Sequence, residues 1–371
     1  MSRTPLNAFC ALTMGQSPDS ESYNIEHNGF PFYQGNADFG RIHPMVRVWC
    51  SAPKKLAKAG DILISVRAPI GALNIADCDC CIGRGLAAIT PDATCADTMF
   101  LFYALYASAA ELQRRGTGST FKAISKNALS NLLLPSYCLK EQKEISAVLQ
   151  QVDHLISLRQ RQAEKLDELV KARFVEMFGE GKYGGNPLSN VCKLITDGTH
   201  QPPQFVDAGI PFLLVSNLVH NEITYDTEKF ISKESYQELI KRTPVEIGDI
   251  LLSIVGSYGH AGVVRTDKPF CFQRHIAYIK PDFSKLNSEF LHHALLSDAV
   301  KYQMEKRVKG IAQKTLNLSE LKKIVVPIPP LALQTEFSHF VHEVDREKER
   351  IQRSAALLET LKRSLMQQYF G

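Results

Sequence analysis

Apolar residues along this chain follow two rhythms, and the pair of rhythms occurs twice. From Lys140 to Phe178 there is neither Gly nor Pro, and apolar side chains recur at Ile145, Val148, Leu149, Val152, Leu155, Ile156, Ala163, Leu166, Leu169, Val170 and Phe174 with charge between them. That spacing predicts one long amphipathic helix. Near the end of the chain the pattern tightens: Phe337, Val344, Ile351, Leu358 and Leu365 hold one seven-residue position without a break, the signature of a coiled-coil seam. At 1.5 Å per residue each helix would be roughly 50–60 Å long. Helices of that length with one apolar stripe need a partner, and the nearest is each other, so an antiparallel pair is expected, with Val152, Leu166, Val344, Ile351 and Leu358 on the face that meets a partner.

Ahead of each helix the pattern is mixed. Short β-branched or apolar runs (Asp61–Val66, Leu86–Ile89; Asp249–Ile254, Ile276–Ile279, Ile324–Ile328) are broken by Gly, Pro, Asn and Asp, which reads as strands and turns. Helical stretches follow at Asp97–Arg115 and Ser288–Val308. Pro135 precedes the first long helix and Pro327, Pro329 and Pro330 the second, where proline marks a boundary or is tolerated. Gly179, Gly181, Gly184, Gly185 and Pro187 make the link between the halves.

The two halves are copies. Gly60-Asp61-Ile62-Leu63-Ile64-Ser65-Val66 returns as Gly248-Asp249-Ile250-Leu251-Leu252-Ser253-Ile254. Cys81 to Ile89 returns as Cys271 to Ile279 with Arg84 and Arg274 in register, and Gly118-x-x-x-Lys122 returns as Gly310-x-x-x-Lys314. A repeat this long is a duplicated domain rather than a solenoid, and pseudo-twofold symmetry is its natural outcome. The fold class expected is α+β: globular domains at 1–136 and 180–328, and long helices at 137–179 and 329–371.

Composition narrows the classes. The chain has 371 residues, 44% of them hydrophobic, enough for two or three domains with real cores. Nine cysteines, an odd number with no secretory leader ahead of Met1, point away from a disulfide framework and toward a reducing cytoplasm. No apolar run reaches the ~18 residues of a membrane span. Net charge is +4, below the strong basicity of a non-specific nucleic-acid binder, so charge alone does not indicate DNA.

The layout, the Gly-Asp-Ile-Leu-(Ile/Leu)-Ser strand, the turn Asp197-Gly198-Thr199-His200 and the loop Gly310-Ile311-Ala312-Gln313-Lys314 resemble the specificity (S) subunit of type I restriction–modification systems, over the whole chain. The resemblance implies that each globular part is a target recognition domain reading one half of a split double-stranded DNA sequence. It implies further that the long helices act as spacer and as docking surface for two methyltransferase (M) subunits, with a restriction (R) subunit joining the restricting complex. Catalysis would then lie outside this chain: no cofactor is expected on it, and S-adenosylmethionine would be carried by the methyltransferase partner. The central helix lacks the tandem short repeat that some members use to set spacer length.

Residues follow from that role. A strut of roughly 50 Å lets two domains touch major-groove segments about one helical turn, ~34 Å, apart. Each domain needs phosphate contacts for position and polar groups for base edges. Lys122 and Lys314 follow a glycine-led loop at matching places and suit a phosphate or a guanine; solvated lysines are the plainer reading. Arg84 and Arg274 recur within apolar strands, where an ion pair with a carboxylate is the plainer reading. Gln273 and His275 replace Gly83 and Gly85, and Ser257-Tyr258-Gly259-His260 stands opposite Pro69-Ile70-Gly71-Ala72. Different polar sets at matching places are what two different half-sites require, although drift also produces them. Thr199, His200 and Gln313 complete the DNA-binding set; Thr199-His200-Gln201 could equally cap a loop.

Other patterns carry less. Cys78-x-Cys80-Cys81 has no second pair at zinc spacing. Gln201-Pro202-Pro203-Gln204 lacks the first Asp/Asn and the final aromatic of an amino-methyltransferase motif. Glu141-Gln142-Lys143 has no companion carboxylate of a nuclease, no P-loop occurs, and His292 and His293 read as partly exposed or packing residues of a helix. The reading from a different class is a coiled-coil scaffold whose globular domains bind proteins. A steep fall of DNA binding with salt separates the two.

Overall fold

The structure is a computed structural model that describes residues 2–117, 122–179, 181–310 and 313–371. It divides into two compact units, one of residues 1–160 with 353–371 and one of residues 161–352. The long helices are therefore not bodies of their own: each unit takes part of both.

The first unit is built on a four-stranded antiparallel sheet. Its strands are β1 (Cys10–Met14), β2 (Ile62–Ser65), β3 (Leu73–Ile75) and β4 (Leu86–Pro91), in the order β1-β4-β2-β3. The strand Ile62-Leu63-Ile64-Ser65 is apolar without alternation because both of its faces are covered. Ile62 and Ile64, with Ala87 and Ile89, pack into the core shared with the helices, whereas Leu63, with Leu86 and Ala88, packs against a smaller five-stranded sheet. Helix α1 (Thr98–Ala107) is started by Asp97, whose carboxylate accepts the Phe100 N–H at 2.9 Å. A second short helix, Ala109–Arg115, follows.

Helix α2 runs over Leu139–Phe178. In the first unit its opening half runs antiparallel to the chain's last residues: just ahead of it the Tyr137 hydroxyl donates to the Tyr369 carbonyl at 3.1 Å, and further along Lys362 pairs with Asp153 at 2.6 Å, while Phe100 of α1 meets Phe370 at 5.4 Å between ring centroids. Asp153 also accepts the Tyr103 hydroxyl at 2.7 Å. Near the helix start, Gln142 is fully buried and fully bonded. Its Oε1 accepts the Asp97 N–H at 2.9 Å, and its Nε2 donates to the carbonyls of Cys95 and Tyr137, both at 2.9 Å.

The second unit repeats this plan. Strands β5 (Cys192–Asp197), β6 (Ile250–Ser253), β7 (Ala261–Val263) and β8 (Ile276–Pro281) form an antiparallel sheet in the order β5-β8-β6-β7. Ile250, Leu252 and Ile254 face the helix core, and Leu251 faces the smaller sheet. Helix α3 (Ser288–Leu296) is capped by Asn287 and followed by Asp298–Arg307. Helix α4 spans Leu331–Phe370. Its Gln334 repeats the Gln142 clasp, accepting the Asn287 N–H at 2.8 Å and donating to the carbonyls of Lys285 at 2.9 Å and Pro329 at 2.8 Å. Phe337 sits against Phe174 and Phe178, each at 5.5 Å, while Lys348 pairs with Asp167 at 2.7 Å and Arg173 with Glu336 at 3.2 Å, again antiparallel. Mixed helix and sheet, twice, with an antiparallel helix pair, is the α+β architecture expected from the pattern.

The residues expected on a partner-facing stripe are consumed inside the chain. Val152, Val344 and Ile351 are buried, and Leu166 and Leu358 are half-buried. Val344, with Leu166 against it, packs into the core of the second unit, whereas Val152 and Ile351 are buried along the long helices outside the core clusters. Other apolar helix positions are left exposed, among them Leu155 and Leu357 in the first unit, at 43% and 72%, and Leu169 and Val175 in the second, at 48% and 63%.

Candidate nucleic-acid interface

Three segments meet at one end of the main sheet in each unit, and backbone hydrogen bonds tie them together. In the first unit Val66, just past β2, donates its N–H to the carbonyl of Gly85 at 2.9 Å, and its own carbonyl accepts from Ile124 at 2.9 Å. Lys122 accepts the Ala68 N–H on its carbonyl at 3.1 Å. In the second unit Ile254 donates to His275 at 2.9 Å and accepts from Leu316 at 2.8 Å, and Lys314 accepts the Gly256 N–H at 2.9 Å. The turn between the smaller sheet and the main sheet, the loop leaving β2 or β6, and the lysine segment are thus brought together in the same way twice.

A fourth segment joins them. After β1 the chain turns at Gly15, and a Cβ there would stand 2.2 Å from the Gly83 carbonyl oxygen; after β5, a Cβ on Gly198 would stand 2.2 Å from that of Phe272. Only glycine allows these approaches. They bring Gln16 and Ser17 against Ile82 and Arg84, and Thr199 against Gln273 and Arg274. Gln16 donates to the Ile82 carbonyl at 3.0 Å, and the Ser17 hydroxyl accepts the Arg84 N–H at 3.3 Å. Thr199 bridges Gln273 in parallel and accepts the Arg274 N–H at 3.1 Å.

Arg84 and Arg274 lie in turns at residues 83–85 and 273–275, not within strands as the apolar surroundings imply. The chain leaves the smaller sheet at Gly83 and Gln273, and β4 and β8 start three residues on, so each arginine sits at the turn tip. Both arginines are exposed, as are Lys122 and Lys314, and among the described residues none of the four is ion-paired. The Lys314 ammonium stands 6.0 Å from the Tyr258 ring centroid. Ser257 and Gln313 are exposed on the neighbouring segments. Gly118, Ile311 and Ala312 of the glycine-led loops lie outside the described residues.

His275 is half-buried beside Arg274; burial first, and then that positive neighbour, hold its ring below the usual imidazole range. At neutral pH it offers one donor and one acceptor. His260 does not join the group by any side-chain contact. Its Nδ1 meets Asn221 Oδ1 at 3.1 Å, and burial, Lys301 and His220 lower its pKa. His200 is exposed and pairs with Asp197 at 3.1 Å and with Arg242 at 3.1 Å, and Arg242 closes the set by bonding Asp197. Thr199 Oγ1 caps its own turn by donating to the Gln201 carbonyl at 2.8 Å.

Sequence reasoning passed over Gln16, Ser17, Arg67 and Arg242. Thr13-x-Gly15 against Thr196-x-Gly198 is the signal that would have aligned the first two. Arg67 is exposed and bridges Ala123 beside Lys122. Arg242 has no local pattern to mark it, although Lys54 stands at the same distance ahead of the Gly-Asp pair in the first copy. Of the cysteine group, Cys80 and Cys81 are buried, and burial pushes the Cys81 thiol up to about 12 and Cys80 further. His292 is buried and His293 half-buried with its ring against Phe337, within the reading of these two as partly exposed or packing residues of a helix. No helix among the described residues is long and apolar enough to cross a membrane.

The comparisons with known proteins agree with this duplication. A family model described as "Type I restriction modification DNA specificity domain" matches residues 6–168 and again 191–359. A protein of Methanocaldococcus jannaschii, provisionally named type I restriction enzyme MjaX specificity subunit, is 41% identical over 174 residues, 47% of this chain and 41% of its own length. The type I restriction enzyme EcoBI specificity subunit of Escherichia coli is 25% identical over 307 residues, 73% of this chain and 64% of its own. The chain thus matches less than two thirds of the length of each of these relatives. A solved type I restriction–modification system S subunit from M. genitalium shares the fold, with a TM-score of 0.59 at 16% identity over 100% of this chain and 96% of that one.

Proposed function

Because the chain belongs to the type I restriction modification DNA specificity domain family, we propose that it is the DNA-reading, non-catalytic subunit of a methyltransferase and restriction complex. Each unit contacts one half of a split target, with Lys122 and Arg84 serving the first half-site and Lys314, Arg274, Gln273, His275, Ser257, Tyr258, Thr199 and Gln313 the second. Exposed cations hold phosphates or guanine, and the polar turn residues read base edges. Two methyltransferase subunits dock on the helix pairs, and a restriction subunit completes the restricting form. S-adenosylmethionine and adenine methylation belong to the methyltransferase, which reaches its base by flipping it from the stack.

The observation that carries this reading is the repeated construction itself. The same backbone bonds hold the same segments at the same end of both sheets, while the side chains presented there differ: Gly83 and Gly85 against Gln273 and His275, Gln16-Ser17 against Thr199-His200. A conserved frame with exchanged polar groups supports two readers of different sequences. Single-molecule methylome sequencing tests it in cells carrying the chain with its methyltransferase. A split motif should appear, vanish when this chain is deleted, and change in one half only when residues 1–136 are exchanged for those of a relative. An unchanged methylome with the methyltransferase expressed would overturn the proposal.

A further inference from the structure

The second unit contains a cavity of about 930 Å³ among α3, the strand Ala261–Val263 and both long helices, and the DNA-reading role makes no use of it. On α3, Glu289, His292 and His293 fall at i, i+3 and i+4, so all three point to one side of the helix. Their potential ligand atoms lie within 4.8 Å of one another, the group of this kind found among the described residues. His292 and His293 line the cavity.

The bonding of His292 is the decisive detail. Its Nε2 stands 2.9 Å from the Ala261 carbonyl and 3.1 Å from that of Asn221, so Nε2 carries the proton and donates. Nδ1 is left as a bare lone pair, buried, with no donor among the described residues, on a side chain 8% exposed. A backbone carbonyl on one ring nitrogen with the other free is how metal-ligating imidazoles are oriented. Glu289 is 5% exposed and is held by Arg265, at 2.6 Å to Oε1 and 3.0 Å to Oε2, which leaves a second lone pair on each oxygen. His293 lines the cavity with its ring edge-on to Phe337 of α4, the centroids 5.3 Å apart. Asp345, on α4, lines the same cavity and brings a further carboxylate to balance Arg265.

The first unit shows that the scaffold does not require these residues. After the equivalent caps, Asp97 and Asn287, its α1 carries Met99, Phe102 and Tyr103 where α3 carries Glu289, His292 and His293. Tyr103 donates there to Asp153, the counterpart of Asp345. One copy fills the place with apolar packing and a hydroxyl; the other fills it with three ligand-type groups.

The geometry points to a binding site for one divalent cation of the zinc class, held by Glu289, His292 Nδ1 and His293. Two imidazoles and a carboxylate suit zinc or a neighbouring first-row metal rather than calcium or magnesium. With three protein ligands on one helix, the remaining position faces the cavity and is open to Asp345 or to water.

The test is zinc binding by the full chain after chelator treatment, measured by competition with a chromophoric chelator, for the parent and for His292→Phe and His293→Tyr, which install the residues of the first unit. One tight zinc per chain is expected in the parent, weakened in either variant by more than the ~10–100-fold that changes outside the ligand set cause. Equal binding by parent and variants, or none by either, overturns the site. Should a variant fail to fold, X-ray absorption of the zinc-loaded parent decides. A nitrogen and oxygen shell alone supports the site, and zinc–sulfur scattering near ~2.3 Å places the metal on cysteines and overturns it.

Discussion

Gln334, at the start of the last helix, accepts the backbone N–H of Asn287 on its Oε1 at 2.8 Å, joining the long helix to the residue that caps α3. Gln142 does the same for Asp97 at 2.9 Å. Each side chain is fully buried and spends both Nε2 protons on carbonyls, so nothing in the clasp is left unbonded. Removing a bonded partner strands the backbone groups it served, at about 1–3 kcal/mol each. Gln334→Leu should therefore lower the stability of the second unit by roughly 3 kcal/mol, and Gln142→Leu that of the first. Calorimetric melting of each variant checks it; a melt unchanged from the parent would contradict the clasp.

Lys314 is anchored by its carbonyl, and among the described residues its side chain pairs with no carboxylate. Lys314→Ala should leave stability within about 0.5 kcal/mol of the parent. DNA binding should weaken, and the slope of log K against log salt should fall by about 1. Lys122→Ala should do the same through the other half-site. Filter or anisotropy titrations across salt concentrations give both numbers.

Tyr278 donates to Asp249 at 2.7 Å, and Asp249 is a fully buried carboxylate at the start of β6, its pKa raised by burial and pulled back in part by that hydroxyl. A folded-state pKa above the unfolded 3.8 means the folded chain binds the proton more tightly, so this group weakens stability above its folded pKa and the penalty vanishes below 3.8. Tyr278→Phe removes a stabiliser of the anion and raises that pKa further. The variant should be less stable than the parent by about 1–3 kcal/mol at neutral pH, with the gap closing as pH falls through the carboxylate range. Denaturant unfolding at several pH values measures it.

Leu357 is 72% exposed on the last helix, while Val344 is 8% exposed in the core of the second unit. Leu357→Glu should leave the melting temperature unchanged and reduce copurification with a methyltransferase subunit. Val344→Glu should instead unfold its unit, since a buried unpaired charge is not tolerated. Copurification of Leu357→Glu at parent levels would remove that face from the docking surface.

Much of this was legible in the residues. The absence of Gly and Pro over Lys140–Phe178 reads as a long helix, and the helix observed is Leu139–Phe178. The repeated Gly-Asp-Ile-Leu strands read as a duplication, and both are central strands of equivalent sheets. Helix period and strand composition are local signals, set by backbone geometry over a few residues, and they survive any tertiary context. The turn positions of Arg84 and Arg274 were not legible, because a turn enclosed by apolar neighbours looks like a strand until the register of both sheets is known.

The sequence by itself determined the duplicated architecture, the long helices, the family, and the matched positions of Lys122 with Lys314 and Arg84 with Arg274. Tertiary structure decided which surfaces are left to act. It buried Val152, Val344 and Ile351, gathered four separated segments at one end of each sheet, and tied His260 to Asn221. It also left His292 Nδ1 without a partner, on a residue grouped with Glu289 and His293 on one side of α3. The physical reason is that exposure and hydrogen-bond partnership arise from contacts between residues far apart in the chain, and no periodicity along one segment records what another segment covers.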